Sequence, residues 1–261
     1  MGADARIFVF DYGRYRAEIV PALVELVRTG TAAPWFAGLM PRFEDPTAYP
    51  HLTKRLRDQP VDLARYCDWL GPDLRYTGTE PVDRSSGKQL ACASQTCPAR
   101  AWCLFHRDHD RHAVEGVNAL YEALVAVCCL GPSKFVGRSV TPNFYLPVLE
   151  RHGIPAGDPV RGLLIALATR GAVLGYQFGA TEGIHGWLTV SETAELVAGL
   201  GRLDLPPGEP LFPTAAAAVG ELLDWREVSL SRLRMVATSA AESGQGVLWG
   251  NDVGPEMWTE L

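Results

Sequence analysis

Apolar positions in this chain recur at two spacings, and the alternation between them predicts the elements. Arg6-Ile7-Phe8-Val9-Phe10 carries a short continuous apolar run from Ile7 and reads as a buried strand. Beyond the turn Asp11-Tyr12-Gly13 the spacing lengthens. Ile19, Val20, Leu23, Leu26 and Val27 fall three and four residues apart, one face of a helix over about 14–28. Pro21 lies inside that helix and either sets its first turn apart or kinks it, and Gly30 stops it. Residues 31–60 are rich in proline and aromatics and predict an ordered, mostly irregular wrap, followed by a short helix over about 61–70 that carries Cys67.

The strongest helical pattern covers about 112–130, where Val114, Val117, Tyr121, Leu124, Val125 and Cys128 repeat at helical spacing and Gly131-Pro132 closes the run. Helices are also expected over 143–151 and 159–169, each followed by a glycine. Residues 172–178 and 186–190 read as strands joined by Gly-Ala-Thr-Glu-Gly, and Ser191 as the N-cap of the next helix, with Glu192 and Glu195 in its first turn. Helices over 215–224 and 229–242, then a strand over 247–249 and a Gly-Asn-Asp turn, complete the pattern. Many helices and few short strands without regular βαβ alternation indicate an α+β fold.

Length and composition agree with one such domain. The 261 residues are 47% hydrophobic and 21% charged, ordinary values for a globular chain. A formal charge of −6 argues against a dedicated polyanion binder, which needs a positive excess to displace counterions. No apolar run approaches the roughly 18 residues of a membrane span, because ALYEALVAVCCLG is short and broken by Glu122. No secretory signal is visible at the start, so a cytoplasmic setting is expected, in which cysteines stay reduced.

That setting gives the cysteines their meaning. Between Cys92 and His112, CASQTCPARAWCLFHRDHDRH holds three cysteines and three histidines in twenty-one residues. The composition from about 72 to 112 is polar, as for an insertion in the α+β body. The spacing Cys92-x4-Cys97-x5-Cys103-x2-His106 lets three thiolates and one imidazole close on one tetrahedral zinc ion. Arg100 and Arg107 are placed to offset the excess thiolate charge. Single cysteines are usually small buried residues; three within twelve residues, with a histidine just beyond, favour a metal. Cys67, His109 or His112 can substitute for one of the four ligands. A second metal reading takes Cys67, Cys92, Cys97 and Cys103 as the ligands of a 4Fe-4S cluster, although gaps of four and five are less typical than gaps of two.

The stretch KQLACASQTCPARAWCLFHRDH resembles the Cys-Cys-Cys-His zinc-finger family, whose members generally bind single-stranded RNA. It has the family's ligand order, an aromatic (Phe105) before the histidine, and basic residues between the ligands. Its last gap is two residues where the family has three, and its first gap is at the short extreme. The resemblance covers about 20 residues. It implies contacts through Arg100, Trp102, Phe105 and Arg107, in a region where five Lys/Arg face two Asp between Arg84 and His112.

The remaining chemistry is thinner. His106, His109 and His112 at successive steps of three spread too widely around a helix to meet at one ion, and the intervening charges read as a solvated helix start. Glu182-x-x-His185, with Trp187, falls among Gly179, Gly183 and Gly186 and suggests a ligand-binding turn. Gly131-x5-Gly137-Arg138-Ser139 has neither the spacing nor the lysine of a phosphate loop. Cys128-Cys129, at the apolar end of a helix, reads as core. The expectation is a zinc protein with a structural Cys3His site that binds a protein partner or a single-stranded nucleic acid. The alternatives are a metal-dependent hydrolase with an open histidine-containing site and an iron–sulfur protein.

Overall fold

A four-stranded antiparallel sheet, ordered β2-β1-β4-β3, lies between two helical layers. The computed structural model describes residues 3–39, 67–68, 70–75, 111–170, 183–206 and 224–254, with backbone alone at 37 and 111–119. Its strands are β1 (Asp4–Phe10), β2 (Leu130–Arg138), β3 (Gly183–Leu188) and β4 (Gly246–Asn251). The α+β class is what the hydrophobic pattern predicts. Among the described residues, no helix is long and apolar enough to cross a membrane.

Side-chain alternation in the two central strands builds a core on each face. Phe8 and Phe10 of β1 and Leu248 of β4 point to the first face; Ala5, Ile7 and Val9, with Val247 and Trp249, point to the second. A strand buried on both faces reads as a continuous apolar run, which is why β1 is conspicuous in the sequence.

The first face is covered by the N-terminal helices and by α4 (Arg111–Cys129). The predicted helix over 14–28 is broken into α1 (Tyr12–Arg14), one π-helical turn (Tyr15–Ile19) and α2 (Val20–Thr29). In a continuous α-helix the Pro21 ring would collide with the Ala17 carbonyl. The wider turn, closed by Val20 N–H on the Tyr15 carbonyl, removes the conflict and leaves Pro21 in the first turn of α2, where no N–H is needed. Gly30 ends α2 with a left-handed φ of 68°. A short helix, α3 (Pro34–Ala37), follows.

The second face is covered by a 3-10 turn (Pro142–Tyr145), α5 (Leu146–Arg151), α6 (Pro159–Thr169), α7 (Val190–Leu200) and α8 (Trp225–Glu242). The bounds of α6 are those predicted. Helix α7 starts earlier than expected: Thr189, not Ser191, is its N-cap, in a capping box with Glu192. Gly186 lets α6 approach β3, since a Cβ there would lie 2.4 Å from the Ala166 carbonyl oxygen.

Strand β2 is not expected from the sequence, where Gly131-Pro132 signals only a helix stop. The helix does end at Cys129, but β2 begins at the next residue. The register slips between Phe8↔Ser133 and Phe10↔Leu130, so Gly131 and Pro132 occupy a bulge on an edge strand, where a missing N–H costs little. The predicted elements over 31–60 and 61–70 lie mainly outside the described residues, though Cys67, Asp68 and Leu70 are helical. Those over 172–178 and 215–223 lie outside them entirely.

Candidate functional site

Two backbone irregularities meet on the first face of the sheet. One is the π-helical turn that begins at Tyr15. The other is a bulge in β3: Ile184 pairs with Gly250 and Gly186 with Trp249, leaving His185 as the extra residue. The Tyr15 ring lies 5.3 Å from that of Trp187, two residues past the bulge, and 5.2 Å from Phe10. Irregular turns of both kinds recur beside functional sites because they re-aim side chains.

Around that meeting point the core is polar. The Tyr15 hydroxyl donates to the backbone carbonyl of Asp73 (2.8 Å) and lies 3.2 Å from the Tyr121 hydroxyl. With the Tyr15 proton committed to Asp73, Tyr121 is the donor of that pair. The Tyr12 hydroxyl donates to the Asp73 carboxylate (3.1 Å). Burial raises the pKa of Tyr121, with the Tyr15 bond opposing and the Glu122 charge adding. Burial does the same to Tyr15, reinforced by Tyr121, so both phenols stay neutral and act as donors. Glu122, buried on α4, accepts the Ile184 N–H at 3.0 Å and so ties α4 to β3 beside the bulge. The Trp187 Nε1 is buried without a hydrogen-bond acceptor.

A charged chain leads outward from Asp73. Arg75 donates to the Asp73 carboxylate at 2.9 and 3.0 Å and reaches Glu192 Oε1 at 3.4 Å. Arg170 donates to the same Glu192 oxygen at 2.7 Å, while Glu192 Oε2 accepts the Thr189 N–H at 2.9 Å. Burial alone would raise Glu192, but the Thr189 N–H and Arg170 outweigh it and hold the carboxyl below its ordinary value. Arg75 and Arg170 each precede a stretch outside the described residues, 76–110 and 171–182. One carboxylate thus anchors the roots of both.

The predicted site residues divide accordingly. His185 and Trp187 lie within β3, fully buried, rather than displayed on a turn. Their partner Glu182 lies outside the described residues. So do Cys92, Cys97, Cys103 and His106, the contact residues Arg100, Trp102, Phe105 and Arg107, and His109; His112 is in the first turn of α4. Cys67 is buried in the first core, and burial, with the Asp68 charge, pushes its thiol up to about 12 against the opposing charge of Arg28. Cys128 and Cys129 are buried free thiols, as expected of core residues. Among the described residues no three metal-binding side chains converge.

Sequence reasoning missed Tyr12, Tyr15, Asp73, Tyr121, Glu122 and the arginine pair on Glu192. One signal was present: Tyr121-Glu122 places a phenol and a carboxylate inside an otherwise apolar helical run. Comparison with known proteins finds no matching family model, no matching curated protein and no matching solved structure.

Proposed function

We propose that this chain is a zinc-binding interaction protein in which Cys92, Cys97, Cys103 and His106 hold one structural zinc ion. The observation that carries this reading is the concentration of soft donors between Cys92 and His112, in a stretch too polar to fold by apolar burial alone. For such a stretch, metal-binding free energy serves as folding free energy. A cytosolic, reducing setting belongs to the proposal, since it keeps the three thiols available to the metal.

The described residues support zinc over a 4Fe-4S cluster. The cluster needs Cys67 as its fourth ligand, and Cys67 is packed in the first core among apolar side chains. Zinc needs no ligand from the body. The roots of the segment are fixed where it leaves and rejoins the fold, at Arg75 and at α4. A zinc-held segment with Arg100, Trp102, Phe105 and Arg107 between and beside its ligands has the chemistry for a protein partner and, less strongly in a chain of charge −6, for a single-stranded nucleic acid.

Elemental analysis of the purified protein tests the proposal. It expects one zinc per chain, a loss of most of that metal in Cys97→Ser and in His106→Ala, and melting at lower temperature in both. Metal-free parent protein with unaltered melting in the variants would end it.

One observation favours a second reading, a metal-dependent hydrolase. Glu122 brings a buried carboxylate to the residue before the bulged His185, and Glu182 is three residues upstream in the chain. That reading expects a metal equivalent that survives His106→Ala and is lost in His185→Ala, with hydrolysis that chelation abolishes and zinc restores.

A further inference from the structure

On the second face, at the seam between the 3-10 turn and α8, two large aromatic side chains are exposed together. Tyr145 is buried and holds its hydroxyl on the Val136 carbonyl, which turns the adjacent Phe144 outward. Trp225 is the first residue of α8, held by the Asp224 cap. The two rings lie 5.5 Å apart at 33°, with 42% of Phe144 and 47% of Trp225 exposed. The Arg226 guanidinium sits 4.8 Å from the Phe144 ring centre and 5.8 Å from that of Trp225.

The charges around this pair are unevenly matched. Arg151 bonds both neighbouring carboxylates, Asp224 at 2.5 Å and Glu227 at 3.2 Å, and His152 also approaches Glu227. Arg226 lies on the aromatic faces and feels Asp224 only beyond ion-pair distance: its Nε is buried without a hydrogen-bond partner, and it makes no ion pair among the described residues. A guanidinium on an aromatic face, with its nearest carboxylates engaged elsewhere, is matched by an anion from outside. Tryptophan and arginine in this arrangement are the side chains that dominate binding energy at protein contacts.

We propose that Phe144, Trp225 and Arg226 form a docking site for a short acidic peptide segment of a partner protein. One apolar side chain of the segment packs on the exposed rings, and an adjacent Asp or Glu carboxylate pairs with Arg226. Two rings and one cation match a short linear segment rather than a globular surface. One cation at this site, in a chain of charge −6, also disfavours a nucleic acid, which needs a row of them. The site is separate from the zinc proposal and does not depend on it.

Fluorescence anisotropy on the full chain tests this with a fluorescein-labelled peptide, Ser-Asp-Leu-Trp-Glu-Ser-Gly. The controls are its counterpart with both acids replaced by lysine and a labelled oligothymidylate. The acidic peptide is expected to bind saturably, and the lysine counterpart and the oligonucleotide are not. Trp225→Ala and Arg226→Gln should each weaken binding at least about tenfold, with Arg226→Lys between Arg226→Gln and the parent. Circular dichroism establishes that the variants fold, and competition by unlabelled peptide on the parent protein needs no variant. Cys97→Ser should bind the peptide as the parent does, so loss of the zinc reading and loss of this one are told apart. No saturable binding of the acidic peptide, equal binding of the lysine counterpart, preference for the oligonucleotide, or indifference to both Trp225→Ala and Arg226→Gln would overturn the proposal.

Discussion

The two faces of the sheet solve different problems with the same strands. The second face is a conventional aliphatic core: side chains from α5, α6, α7 and α8 close on Ile7, Val247 and Trp249. Its buried polar groups serve the seams, as when Asn251 accepts from Trp249 Nε1 and donates to the Val140 carbonyl. Among the described residues, the first face carries both buried carboxylates, Asp73 and Glu122, together with Tyr15, Tyr121 and three buried thiols. Its irregular turns are kept although a regular helix and strand would pack more simply. Packing alone accounts for the second face; the first is organised around hydrogen bonds between distant parts of the chain.

The contrast predicts that the two faces fail differently. The largest effect is expected from Trp249→Ala on the second face, a loss of about 3–5 kcal/mol in chemical denaturation, because it opens a large cavity and leaves Asn251 Oδ1 without its donor. A loss under about 1 kcal/mol would show that the second core is not tightly packed.

On the first face the polar groups matter more than volume. Tyr15→Phe keeps the ring but leaves the Asp73 carbonyl and the Tyr121 hydroxyl short of a partner, and should cost about 1–3 kcal/mol at pH 7. It should also change the alkaline limb of the stability curve. Tyr15 and Tyr121, both buried on this face, have pKa values raised above the ordinary 10.0. The unfolded chain therefore releases their protons first. Their contribution is complete below pH 10 and is lost as pH rises beyond it, by about 1.4 kcal/mol per pH unit for each tyrosine titrating in the unfolded state alone. Removing Tyr15 should make that slope shallower; an unchanged slope would detach the phenol from the network.

The smallest effect is expected at the outer end of the charged chain. Glu192→Gln should cost about 1 kcal/mol at pH 7, since the pairs with Arg75 and Arg170 remain partly exposed. Its carboxyl is held below the ordinary 4.5, so its contribution is present above that pH and fades as pH falls through the depressed value. The variant should lose that part of the acid limb. Equal acid sensitivity in variant and parent would count against Glu192 as the shared anchor.

How much of this was legible in the sequence follows the same division. Local periodicity found β1, a continuous apolar run buried on both faces, and α6 and most of α8, whose apolar positions face a single core. It also found the buried set of α2, but a window of residues does not reveal that Pro21 forces a π-helical turn upstream. The first-face network was illegible because its members are far apart: Tyr15 to Asp73 spans 58 positions, and Tyr15 to Tyr121 spans 106. Nothing in a periodic pattern says which phenol meets which carbonyl. His185 was singled out as a loop residue because its flanking glycines suggest a turn, whereas Gly186 serves the close approach of α6 to a strand. The cysteine-rich segment is the reverse case: its chemistry is written in local spacing, and its ligands lie outside the described residues.

The pairing of β1 with β4 at the centre of the sheet has a consequence for how the protein is made. Ala5 pairs with Asn251, so β1 is made well before the strand that completes its pairing. Until then the Ile7, Phe8, Val9 and Phe10 side chains have only one of their two flanking strands, and the nascent chain exposes an adhesive apolar edge throughout synthesis. Closing the sheet therefore rests on contacts between distant parts of the chain, the kind of topology that folds slowly.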